Sequence, residues 1–119
     1  MSEHDEQVKI FQWARLSEGR WPELALLFAI PNGGKRHIAV ARKLKAEGVK
    51  AGVPDICLPV ARGRFHGLYI ELKHGRNKET ERQAWWLTRL CDHGYRVATA
   101  YEFEGAKAVL EEYLGGTLP

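Results

Sequence analysis

Cysteine is scarce in this sequence. Cys57 and Cys91 lie far apart with no Cys-x-x-Cys spacing, which argues against a disulfide framework or a thiolate metal site and predicts two buried thiols. Long apolar runs are missing as well. The longest, Leu24 to Ile30, is seven residues, against the ~20 that a membrane-spanning helix needs, so no transmembrane segment is expected. The opening Met1-Ser2-Glu3-His4-Asp5-Glu6 is acidic and lacks the basic-then-apolar layout of a signal peptide, which predicts a cytoplasmic protein. His4, His37, His66, His74 and His93 are scattered without ligand spacing, and there is no Gly-x-x-x-x-Gly-Lys loop. These absences disfavour a zinc centre and a phosphate cradle of that kind. Repeats, low-complexity tracts and linkers are absent too, so residues 1–119 are read as one domain. What remains is 45% apolar and 28% charged residues with 12 Gly and 5 Pro, a globular composition that buries roughly two thirds of its unfolded surface.

The net charge of +3 is unevenly placed. Residues 31–50 carry Lys35, Arg36, Arg42, Lys43, Lys45 and Lys50 against Glu47 alone, a balance of +5, whereas residues 91–119 sum to −3 and residues 1–30 to −2. One basic face suits a polyanion. A solvated helix surface would carry the same charges.

The periodicity alternates along the chain. Gln7, Ile10, Phe11 and Ala14 form one stripe of a helix over 4–18, closed near Gly19. The run Leu24–Ile30 reads as a buried strand ended by the turn Pro31-Asn32-Gly33-Gly34. A basic helix is expected over 36–47, with Ile38, Ala41, Leu44 and Lys45 along one side and Gly48 at its end. Strands are expected over 55–60 and 67–73 with a hairpin at 61–66 between them. Thr80-Glu81-Arg82-Gln83 reads as a capping box opening a helix to His93. Residues 95–101 then form a strand and 104–114 a last helix. The order α-β-α-β-β-α-β-α predicts an α/β fold, a small mixed β-sheet flanked by helices.

Glu71 and Lys73 are two apart on a predicted strand, so their side chains leave one face while Leu68, Ile70 and Leu72 leave the other. The wet face of an ordinary strand shows the same alternation. Asp55 adds to it: pairing of the two strands through the short hairpin places Asp55 beside Glu71. Two carboxylates converging on a lysine near a basic surface match the needs of phosphodiester hydrolysis. Carboxylate oxygens hold Mg²⁺ or Mn²⁺, which lower the pKa of a bound water and neutralise charge on the phosphate. The lysine would orient that water or stabilise the anionic transition state.

Pro54-Asp55 followed by Glu71-Leu72-Lys73 resembles the PD-(D/E)xK nuclease signature. The segments Ile30-Pro31-Asn32-Gly33-Gly34, Leu44 through Asp55 and Leu68 through Lys73 are similar to the virus-type replication-repair nuclease domain, VRR-NUC, in register and over nearly the whole chain. The resemblance implies a restriction-endonuclease-like core and a Mg²⁺- or Mn²⁺-dependent endonuclease. Asp55, Glu71 and the Leu72 backbone carbonyl would hold the metal, and Lys73 would be the catalytic lysine. The family also carries a first-helix glutamate, for which Glu3 and Glu6 compete. Glu3, four before Gln7, keeps the family's Glu-x-x-x-Gln spacing.

Gln83 serves the capping box, yet it shares an inward stripe with Trp86, Leu87 and Leu90, and related nucleases place a glutamine from this helix at the active site. Trp86 is expected in the core. Trp85 points away from that stripe, toward solvent, a partner or DNA. The resemblance further places Asn32, Gly33 and Gly34 at a DNA-facing cleft, with Lys35, Arg36, Lys43 and Lys45 as candidate phosphate contacts. Stand-alone members of the family act as dimers on four-way junctions, which predicts a homodimeric Holliday junction resolvase from a phage or prophage setting. The alternatives are a flap or nicking nuclease, or a non-catalytic nucleic-acid-binding module using the same basic face.

Overall fold

The structure, a computed structural model, describes residues 2–31 and 37–115. Ser2 opens α1 (Glu3–Leu16) with a reciprocal cap, its hydroxyl accepting from the Asp5 amide at 3.1 Å while Asp5 Oδ2 accepts from the Ser2 amide at 2.9 Å. Ile10 and Ala14 are its buried apolar face, with Phe11 and Trp13 packed alongside.

The buried strand expected over Leu24–Ile30 is not formed as such. Pro22–Leu26 is instead a 3-10 helix, and only Phe28–Ala29 is a strand, β1, on an exposed edge of the sheet. A short apolar run has no periodicity to separate strand from helix. Here Pro22 sets φ at the first helical position, and three-residue turns aim Leu24 and Leu27 inward while Leu26 faces water.

β1 pairs antiparallel with β2 (Ile56–Leu58), β2 antiparallel with β3 (Leu68–Lys73), and β3 parallel with β4 (Arg96–Tyr101), giving a four-stranded mixed sheet in the order β1-β2-β3-β4. The β2–β3 connection closes as the sequence predicts, through reciprocal bonds between Arg62 and Phe65 with Gly63 at φ 55°. Ile56, Leu58, Leu68, Ile70, Leu72 and Ala100 point to one face, where α1 and α4 (Glu102–Leu114) cover them with Ile10, Ala14, Leu110 and Tyr113. The opposite face meets α3 (Glu81–Asp92), which buries Leu87.

Two further expectations need correction, while the basic helix forms as expected. Trp86 is half-buried at the margin of α3, because its indole N–H finds the Ala51 carbonyl at 3.2 Å rather than a place in the core. Cys57 is buried as expected, but Cys91 is exposed, one position past the inward stripe. The basic helix α2 (Ile38–Ala46) buries nothing; Ile38 is 68% exposed and only Ala41 and Leu44 are half-covered, on the side facing a groove against α3. Among the described residues no helix is long and apolar enough to cross a membrane.

Candidate active site

Asp55 lies one residue before β2. Continuing the Ile56↔Ile70 register by that residue sets Asp55 opposite Glu71, as the parity of the hairpin demands. Asp55 is fixed at both ends: its carbonyl accepts from the Ile30 amide at 2.8 Å, and its Oδ2 accepts from the Leu72 amide at 2.8 Å.

Glu71 and Lys73 are not the wet face of a strand. They are 1% and 7% exposed, beneath α3. Burial, then the charge and hydrogen bond of Asp55, push the Glu71 carboxyl up to about 8, with Lys73 opposing and Glu3 adding to the rise. Among the described residues, Glu71 Oε1 is the one buried side-chain polar atom with no hydrogen-bond partner. Its other oxygen accepts from Gln83 Nε2 at 3.1 Å and lies 3.7 Å from Lys73 Nζ.

Gln83 joins the two roles that the sequence set in competition. As the third residue of α3 it completes the capping box, Oε1 accepting from the Thr80 amide at 2.8 Å, and the same oxygen accepts from Lys73 Nζ at 2.8 Å. Two donors at the oxygen and a carboxylate at the nitrogen permit only this orientation of the amide. The start of α3 is therefore locked to the Glu71–Lys73 pair.

The first-helix acids separate. Glu3 is half-buried, and its carboxyl is pushed up by burial and by Asp55, with Lys73 and His74 opposing, so it faces the same cluster. Glu6 is committed elsewhere. Its Oε1 accepts from the Phe103 amide at 2.9 Å, capping the start of α4, and that bond holds its pKa below the ordinary value, with Lys9 nearby at 3.5 Å. One pair went unread in the sequence: His74 Nδ1 lies 2.5 Å from Glu102 Oε2, and Glu102 Oε1 accepts from the Gly75 amide at 3.3 Å. These contacts hold Glu102 at φ 56°, a left-handed conformation rare for a side chain of its kind. A histidine directly after Lys73 was the available signal.

Asn32, Gly33, Gly34, Lys35 and Arg36 lie outside the described residues. Lys43 and Lys45 are exposed on α2, and Lys45 borders a groove of about 440 Å³ that also meets Lys50 and Arg82.

Among the described residues no three His, Cys, Asp or Glu side chains gather into a metal-holding group. A divalent cation here would need the carboxylate pair supplemented by backbone oxygen. The donor chemistry fits such an ion: two interacting carboxylates, one buried oxygen without a donor, and one ammonium as the local cation.

No curated protein matches the chain. A solved structure of a VRR-NUC domain protein is similar to it with a TM-score of 0.79 and 28% identity, over 97% of this chain and 89% of that one. The family model for the VRR-NUC domain matches residues 1–103, and the chain belongs to this family of the nuclease superfamily.

Proposed function

We propose that the protein is a Mg²⁺- or Mn²⁺-dependent endonuclease that hydrolyses phosphodiesters in branched DNA, and that it resolves four-way junctions as a homodimer. The observation that carries this reading is the buried Glu71 carboxyl, paired with Asp55 and left with an unsatisfied oxygen beside Lys73. Leaving charge and acceptors buried without compensation costs stability, and a divalent cation repays that cost.

In this reading Asp55, Glu71 and the Leu72 carbonyl hold the ion, with Glu3 rather than Glu6 as the further acid. When bound, the metal activates water and neutralises charge on the phosphate. The rest falls to side chains. Lys73 meets the anionic transition state or orients the attacking water, and its ammonium is preorganised by Gln83 Oε1. The Asp55 carboxylate is held in place by the Leu72 amide, so it arrives at the site already oriented.

Labelled flap, nicked, duplex and four-way junction substrates incubated in Mg²⁺ and in Mn²⁺ test activity and substrate together. Cleavage of the junction in paired opposite strands supports the proposal. Preference for flaps or nicks would replace resolution, and binding without any metal-dependent cleavage would reduce the protein to a binding module. The homodimer is expected because a two-fold junction presents two equivalent strands to two equivalent sites. Light scattering with and without junction DNA checks it, and a monomer in both conditions refutes it.

A further inference from the structure

We propose that the outer face of α3 is a stacking platform for an unpaired nucleobase of the DNA substrate, with Trp85 as its floor and Arg82 and Arg89 as phosphate contacts. The proposal rests on the DNA-cleaving reading above, not on junction resolution in particular, and assigns it a substrate feature, a base left unpaired at a branch point.

Trp85 is 48% exposed, a large apolar surface left in water by a helix whose inward side is served by Leu87, Leu90 and Trp86. The indole is not loose. It stands edge-on to Trp86, with ring centroids 5.5 Å apart and planes at 85°, and Trp86 is itself tied to the Ala51 carbonyl. The guanidinium carbons of Arg82 and Arg89 lie 6.0 and 5.3 Å from the indole centroid. Both guanidiniums lie over the indole, so a base stacks by displacing one of them toward its phosphate; an aromatic face flanked by such cations stacks bases without regard to sequence, because every base offers a π-face. Asp92 lies 3.8 Å from Arg89, but both are exposed and the pair is weak.

Charge and position agree. The adjoining groove between α2 and α3 sets Lys45, Lys50 and Arg82 around an apolar floor of Ala41, Leu44, Val49 and Ala51, with no carboxylate among its described lining residues. Arg82 borders this groove while the next residue, Gln83, turns into the Asp55–Glu71–Lys73 cluster, and successive Cα atoms are only about 3.8 Å apart. A phosphate at that cluster therefore has neighbouring nucleotides within reach of the groove and of the indole.

The test uses Trp85→Leu and Trp85→Phe variants with two probes in Ca²⁺. One is a duplex with a single-stranded flap carrying unpaired 2-aminopurine at the branch, the other the matching blunt duplex. Trp85→Leu should weaken flap binding by about tenfold and abolish the base-analogue quenching, with blunt-duplex binding within about twofold and Trp85→Phe close to wild type. Unchanged circular dichroism excludes misfolding at this exposed position. Equal losses on both probes, no loss on the flap, or no DNA binding by the wild-type protein overturns the platform. Cleavage in Mg²⁺ or Mn²⁺ is scored separately. If the wild-type protein cuts nothing while the Trp85-dependent flap preference persists, the nuclease reading fails and the platform stands. If it cuts and Trp85→Leu binds flaps normally, the platform alone fails.

Discussion

The most exacting prediction concerns Glu71→Gln in the metal-free protein. The Glu71 carboxyl moves from 4.5 in the unfolded chain to about 8 in the fold, so between those values folding takes up a proton. The folded state binds more protons than the unfolded one, and stability must fall as pH rises. The advantage is complete below the unfolded value and is lost as pH climbs through about 8. At about 1.4 kcal/mol per pH unit the limiting loss is roughly 5 kcal/mol. Reorientation of Asp55 and Lys73 around the charged form lowers it, and a loss of at least ~2 kcal/mol is expected, or roughly 6–10 °C in Tm for a domain of this size.

Glutamine at 71 keeps the shape, retains the acceptor for Gln83 Nε2, and places an N–H₂ where a second oxygen stood. The variant should match wild type in chelator near pH 4.5 and exceed it by ~2 kcal/mol or more near pH 9. Urea unfolding followed by the emission of the four tryptophans gives both curves, and groups titrating elsewhere cancel in the difference. Adding Mg²⁺ at ten times its dissociation constant should stabilise wild type by about 1.4 kcal/mol and the variant far less. A difference that is flat with pH, or a wild type favoured at high pH, would refute the reasoning.

Asp55→Ala and Lys73→Ala should each lower single-turnover cleavage by ~10²-fold or more. Asp55→Ala should also be about 1 kcal/mol less stable than Asp55→Asn, which keeps an acceptor for the Leu72 amide. Urea titration of the two variants measures that gap, and equal stabilities would deny the hydrogen bond a role. Gln83→Ala should lose about 1 kcal/mol of stability with the cap, along with at least ~10-fold in cleavage, and urea titration with single-turnover cleavage measures both; Gln83→Glu keeps a capping acceptor but sets a carboxylate against Glu71, so its loss of stability should grow as pH rises. If Lys43 or Lys45 touches phosphate, its alanine variant should flatten the plot of log K against log salt by about 0.9; wild-type slopes would leave both as solvated surface.

The register of Asp55 against Glu71 was legible because a hairpin fixes strand parity, and parity decides which side chains face each other. The α3 cap was legible because four consecutive residues encode it. What escaped depends on contacts distant in sequence. Glu3 and Glu6 lie three apart and share a helical side, so periodicity cannot rank them; the choice is made by α4, whose first amides claim Glu6. The Leu24–Ile30 run carried the hydrophobicity of a strand, but Pro22 turned its first residues into a 3-10 helix and left only Phe28–Ala29 as strand. Trp86 is drawn to the Ala51 carbonyl, a contact distant in sequence, and Cys91 lies one position past the inward stripe of α3.

Gln83 shows why cap and site were falsely opposed. An amide oxygen has two lone pairs, and here the Thr80 amide takes one and Lys73 the other, while the nitrogen remains free for Glu71. The N-terminal turn of α3 therefore folds only in the geometry that also aims the Lys73 ammonium. The same holds for Asp55, whose Oδ2 bond to the Leu72 amide ties its side chain to β3 one residue before the start of β2. Both residues spend part of their hydrogen-bonding capacity on the backbone and present the remainder to Glu71 and Lys73. Changes at either position are thus expected to couple to stability. Glu71, whose burial leaves Oε1 without a partner despite Gln83 and Lys73 at Oε2, is the one position in the cluster where losing function should gain stability.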